Sequence, residues 1–115
     1  MIDKSTSKNV TCSPEDLLSR ASDLKEQGAE LLFIECRRET EDEIIIDYTF
    51  DLNGVQTIIT THTEEGSISS LYSLYPAADF PEREAAILFH IKFVGNPNLA
   101  TMRIPGSDEG DKNSS

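Results

Sequence analysis

Asn53-Gly54 stands between two runs of alternating apolar and polar residues, and this arrangement limits the possible folds more than any other feature of the chain. Both central positions of a type I′ turn need positive φ, which Asn and Gly adopt at least cost, so the dipeptide predicts a two-residue hairpin. Upstream, Ile44, Ile46, Tyr48, Phe50 and Leu52 alternate with Ile45, Asp47, Thr49 and Asp51; downstream, Val55, Thr57 and Ile59 continue the period. Such a turn sets the register: Leu52 opposite Val55, Phe50 opposite Thr57, Tyr48 opposite Ile59. The other face, with Asp47, Thr49, Asp51, Gln56, Thr60 and His62, is expected to be wet.

The flanks supply the remaining elements. Leu31, Leu32, Phe33 and Ile34 form an apolar run of strand length, and residues 67–75 carry Ile68, Leu71, Tyr72 and Leu74 before Pro76, which predicts a fourth strand. A helix is expected after Ser13, Pro14 and Asp16, with Leu17, Leu18, Ala21 and Leu24 as its apolar stripe and Gly28 as its end. Asp79 and Glu82 mark a second helix start, after which Ala85, Leu88 and Phe89 are expected to face inward. The expected fold is α+β: an antiparallel sheet of three or four strands with two helices packed on one face. Residues 1–12 read as a flexible N-terminal arm, 13–95 as the domain, and 96–115 as a docking segment (to residue 104) followed by a disordered tail.

Charge narrows the function classes. Asp and Glu number 21 against 10 Lys and Arg, for a net charge of -11. That excess argues against a nucleic-acid backbone as partner and against direct anchoring to an anionic membrane. With 37% hydrophobic residues and no Trp, the core is thin, and a partner covering one face would help it. No stretch approaches the roughly 20 apolar residues of a membrane-spanning helix, and MIDKSTSKNV lacks the apolar region of a secretory signal. Cys12 and Cys36 are expected to be two free thiols in a reducing compartment.

Neither a catalytic set nor a metal or cofactor site is expected. Cys12, Cys36, His62 and His90 are the only soft ligands, and no two have a local ligand spacing. Walker, dinucleotide and nucleophile-elbow motifs are absent. The acidic clusters at 39–43 and 64–65 read as solvated loop charge. Arg83 is different: it sits between Glu82 and Glu84 in the first turn of a helix, against the helix dipole. It is expected to fork onto a carboxylate of this chain or a neighbour.

Residues 75–99 read YPAADFPEREAAILFHIKFVGNPNL. This resembles the signature of the 30-kDa subunit family of respiratory complex I, which includes the C subunit of bacterial NADH–quinone oxidoreductase. Members of that family also occur in energy-converting nickel–iron hydrogenases and formate hydrogenlyases. Tyr75, Pro76, Glu82, Arg83, Glu84, Leu88, Phe89, Phe93, Gly95, Asn96, Pro97, Asn98 and Leu99 match the pattern. Ile87 stands where an acid is usual, His90 where glycine is usual, and Arg103 alone represents a later basic pair. The family's long C-terminal extension is nearly missing, which makes the hydrogenase-type members the more similar ones.

The resemblance implies a non-catalytic, cofactorless assembly subunit in the peripheral arm of a membrane-bound oxidoreductase, most similar to an energy-converting hydrogenase. The C subunit of an NADH- or deazaflavin-dependent quinone oxidoreductase is the alternative. Its implied partners are the large nickel–iron hydrogenase-like (49-kDa type) subunit and the small iron–sulfur subunit, with membrane subunits contacted indirectly. Its implied place is the cytoplasmic face of the cell membrane. Glu82, Arg83, Glu84, Phe93, Asn96, Pro97, Asn98, Leu99 and Arg103 are the implied contact residues. Two other classes fit the composition: a free-standing, self-assembling α+β ligand-binding domain, and an acidic nucleic-acid mimic. The mimic would need carboxylates in rows, whereas those here cluster in turns.

Overall fold

The computed structural model of the chain describes residues 7–101. In chain order it has β1 (Ser7–Thr11), a 3-10 turn (Pro14–Asp16), α1 (Leu17–Glu26), β2 (Glu30–Arg38), β3 (Ile44–Leu52) and β4 (Val55–His62). There follow β5 (Ser67–Ser69), a second 3-10 turn (Pro76–Ala78), α2 (Asp79–Phe89), β6 (Lys92–Val94) and α3 (Pro97–Thr101). The main sheet runs β1-β4-β3-β2, and β5 and β6 form a separate two-stranded sheet.

The hairpin of β3 and β4 organises this sheet. Asn53 and Gly54 take positive φ of 54° and 84°, and Leu52 pairs with Val55, Phe50 with Thr57 and Tyr48 with Ile59, as the alternation predicts. Ile46, Tyr48, Phe50 and Ile59 point inward and are essentially unexposed. Leu17 and Ala21 of α1 and Ala85 and Ala86 of α2 enter the same core, so both helices cover one face of the sheet. Each fully buried large apolar side chain is worth roughly 1.5–3 kcal/mol. The outer face is less wet than expected. Thr49 is buried between its register neighbours Phe33 and Ile58, while Asp47 binds Arg37 at 2.7 Å and accepts from the Thr60 hydroxyl at 2.7 Å.

Other expectations need correction. Residues 7–12 are not a loose arm: β1 pairs in parallel with β4, the Cys12 N–H donates to the Thr60 carbonyl at 3.0 Å, and Cys12 is buried. The sheet is therefore mixed rather than wholly antiparallel. Backbone bonding to a free strand edge does not require side-chain alternation, which is why a polar segment takes this place. The fourth strand shrinks to β5 and pairs in parallel with β6 instead of joining the main sheet. After it the chain turns, with the Leu74 and Tyr75 N–H groups both donating to the Leu71 carbonyl. Leu88 does not face inward; it is 70% exposed. Within the expected docking segment, residues Pro97–Thr101 form a helix, α3. The remainder, including Arg103 and the tail, lies outside the described residues, as do residues 1–6.

Candidate functional site

The expected contact motif folds around one buried carboxylate. Glu82 has no exposure. Its Oε1 accepts from the Ser70 hydroxyl at 2.6 Å and from the Asn96 amide at 2.9 Å, and its Oε2 accepts from the Leu71 N–H at 2.8 Å. Three donors from two other segments thus tie α2 to the turn after β5 and to the turn before α3. Burial pushes the Glu82 carboxyl up from its ordinary value, while the three hydrogen bonds pull the other way. Glu82, Phe93 and Asn96, expected as contact residues, are all buried in this fold.

Asn96 links the two halves of the motif. Its amide also reaches Asp79 at 3.4 Å, and its Oδ1 accepts from the Asn98 N–H at 2.9 Å, which caps the first turn of α3. Asp79 in turn meets Arg83 Nη2 at 3.3 Å, one helical turn along. Hydrogen bonding from Asn98, then from Asn96, and the Arg83 charge hold the Asp79 carboxyl below the usual carboxylate range. The expected fork is thus a single contact within this chain. Arg83 Nε is buried with no hydrogen-bond partner among the described residues, while the side chain as a whole is 41% exposed.

The tyrosine of the motif is structural. The Tyr75 hydroxyl donates to the Ala29 carbonyl at 2.9 Å, and its ring lies 5.4 Å from that of Phe50. Glu84, Pro97 and Asn98 are exposed, and Leu99 is half-buried against the core. The residues missed from the sequence are Ser70, Asp79, Phe80 and Ile87. Phe80, Ile87 and Leu88 recur at helical spacing and are 61%, 57% and 70% exposed, an apolar stripe on the outward side of α2 with Glu84 in its midst. Their spacing was visible, but a helix apolar on two sides does not announce which side is covered.

The remaining chemistry-bearing side chains do not converge. Cys12 and Cys36 are free thiols, and burial, with Asp47 adding to it, pushes Cys36 up to about 11. Among the described residues no group of three or more His, Cys, Asp or Glu is placed to hold a metal ion. No helix among them is long and apolar enough to cross a membrane.

Fold and site together define a class: an α+β domain whose motif residues form a buried hydrogen-bond network and whose second helix presents an unpaired apolar stripe. The chain belongs to the family described as "Respiratory-chain NADH dehydrogenase, 30 Kd subunit", whose profile matches residues 10–110. It is 36% identical over 56 residues to the C subunit of the NADH-quinone oxidoreductase of Mycolicibacterium smegmatis, a match covering 49% of this chain and 24% of that protein. The aligned stretch thus spans about a quarter of that relative. Among solved structures it is similar to the trypsin-resistant fragment of Nqo5, with a TM-score of 0.67 and 20% identity over 77% of this chain and 80% of that one. At that identity the likeness is one of fold.

Proposed function

We propose that this chain is a non-catalytic docking subunit in the peripheral arm of a membrane-bound, complex I-related oxidoreductase. It uses α2 and the turn at residues 96–98 to seat the large, hydrogenase-like subunit of the 49-kDa type beside the small iron–sulfur subunit. Its place is then the cytoplasmic face of the membrane, held there through its partners. The observation that carries this reading is the stripe of Phe80, Ile87 and Leu88, exposed on a helix whose inward side is fastened by Glu82. Contiguous exposed apolar side chains on a rigid element mark a contact surface. Arg83 beside the stripe has donors left over from its single contact with Asp79.

The test is to express tagged Arg83→Ala and Leu88→Glu in the native host and compare recovery of co-purified subunits with the thermal midpoint of the free chain. Both variants should keep the midpoint within a few degrees and lose most of the co-purified protein. Truncating an interfacial charged hydrogen-bonding group costs about 2–5 kcal/mol of binding, whereas an exposed ion pair is worth under about 1. Normal assembly by the variants would overturn the proposal.

Two assemblies fit. The energy-converting hydrogenase is the finer reading carried by the resemblance; the match to the Mycolicibacterium relative supports the quinone-reducing one. Stoichiometric nickel in the purified complex selects the first, and NADH-dependent quinone reduction without nickel selects the second.

A further inference from the structure

A second surface shares no residue with the α2 stripe. Between the open end of the β3–β4 hairpin and the β5–β6 pair lies a groove of about 850 Å³. Glu15, Asp42, Glu43, Glu64 and Glu65 line it, and among the described residues no Lys or Arg does. These carboxylates come from three separated stretches of sequence, and among the described residues none of them is ion-paired.

The groove also holds an unmet hydrogen-bonding group. Thr63 lines it and is only 4% exposed, and its Oγ1 has no hydrogen-bond partner among the described residues. Its backbone is fixed by an N–H bond of 3.0 Å to the Ile44 carbonyl. A buried hydroxyl without a partner is a cost that a ligand group removes. Ile68 and the 54%-exposed Val94 give the same groove an apolar wall.

We propose that this groove docks a Lys- or Arg-bearing segment of a protein partner. The aliphatic stems lie along Val94 and Ile68, the cationic heads sit among the five carboxylates, and an N–H of the segment reaches the Thr63 hydroxyl. Long basic side chains combine an apolar stem with a charged head in this way. Five carboxylates around one groove give it a negative potential that a cationic partner complements. The carboxylates are not grouped as metal ligands, which disfavours a bare cation as the occupant. The proposal goes beyond the subunit reading and is tested on the chain alone, so its failure leaves that reading intact.

The experiment titrates a fluorescent octalysine peptide with the full chain at low ionic strength and follows anisotropy. The parent should bind, and Glu64→Gln/Glu65→Gln should lower affinity about five- to tenfold. Glu26→Gln/Glu30→Gln removes the same charge from exposed positions outside the groove and should change affinity less than about twofold. Thr63→Val should lower affinity about two- to fivefold at constant charge, with Thr63→Ser binding like the parent. Absence of binding, equal losses in the two charge variants, or full affinity in a folded Thr63→Val would overturn the proposal. So would displacement of the peptide by magnesium at an ionic strength where sodium chloride has no effect.

Discussion

Glu82 is ionisable and without solvent contact, so the consequence of removing it is set by the donors it leaves behind. In Glu82→Ala the Leu71 N–H and the Asn96 amide lose their acceptor inside the protein, and unfolding in urea should show a loss of about 2–5 kcal/mol. Because its folded pKa is raised, the folded state binds this proton more tightly than the unfolded chain does. The resulting stability is full below the ordinary carboxylate pKa and is lost as pH rises through the raised one. Wild type should therefore gain on Glu82→Gln as pH falls from neutrality to below 4.5 in paired urea titrations. Cys36 follows the same sign at the alkaline end. Pushed up to about 11 from 9.0, its thiol holds roughly a hundredfold less thiolate at pH 8 than an unperturbed cysteine, so its reaction with an aromatic disulfide reagent should be correspondingly slow. Its contribution to stability is lost as pH climbs through 11, and Cys36→Ser should flatten that part of the alkaline unfolding curve.

At the scale of elements, α2 is closed by a residue in an unfavourable conformation. His90 is the C-cap, with φ 59° and ψ 42°, where the signature that the sequence resembles usually has glycine. A left-handed conformation costs a side-chain-bearing residue about 1–2 kcal/mol, and glycine returns about 0.4–1 of this through the freer unfolded chain. His90→Gly should thus stabilise the domain by about 0.5–1 kcal/mol, seen as a thermal midpoint a few degrees higher. The departure from the family is therefore a local backbone cost at an exposed position. A second departure, Ile87, adds to the outward stripe of the same helix.

For the whole molecule, β1 matters beyond its five residues because it covers the edge of β4. Its side chains are mostly exposed, so what it supplies is backbone pairing. Removing residues 1–11 should cost about 1–3 kcal/mol after the ordering entropy of the strand is deducted. It should also bare an edge carrying Val55, Thr57, Ile58, Ile59 and Thr60, a template for pairing with another chain. Light scattering over a range of concentrations should detect the self-association, and urea unfolding the loss of stability. A monomeric truncated chain of parental stability would show that β1 contributes nothing to the sheet.

The amino-acid sequence by itself determined the hairpin and its register, because turn chemistry and alternation are local and agree with each other. It also determined the acidic charge and the family signature, both of which are properties of composition and order. Tertiary structure decided which side of residues 79–89 is inside. Both sides are apolar, and where α2 packs against β2 the inward one buries Ala85 and Ala86 around Glu82, while Ile87 and Leu88 stay outside. Tertiary structure also turned Glu82 from an expected surface contact into the centre of the motif, since its donors at Ser70, Leu71 and Asn96 lie 11 to 14 residues away. And it placed residues 7–11 in the sheet, where pairing is made by the backbone, which every sequence carries alike.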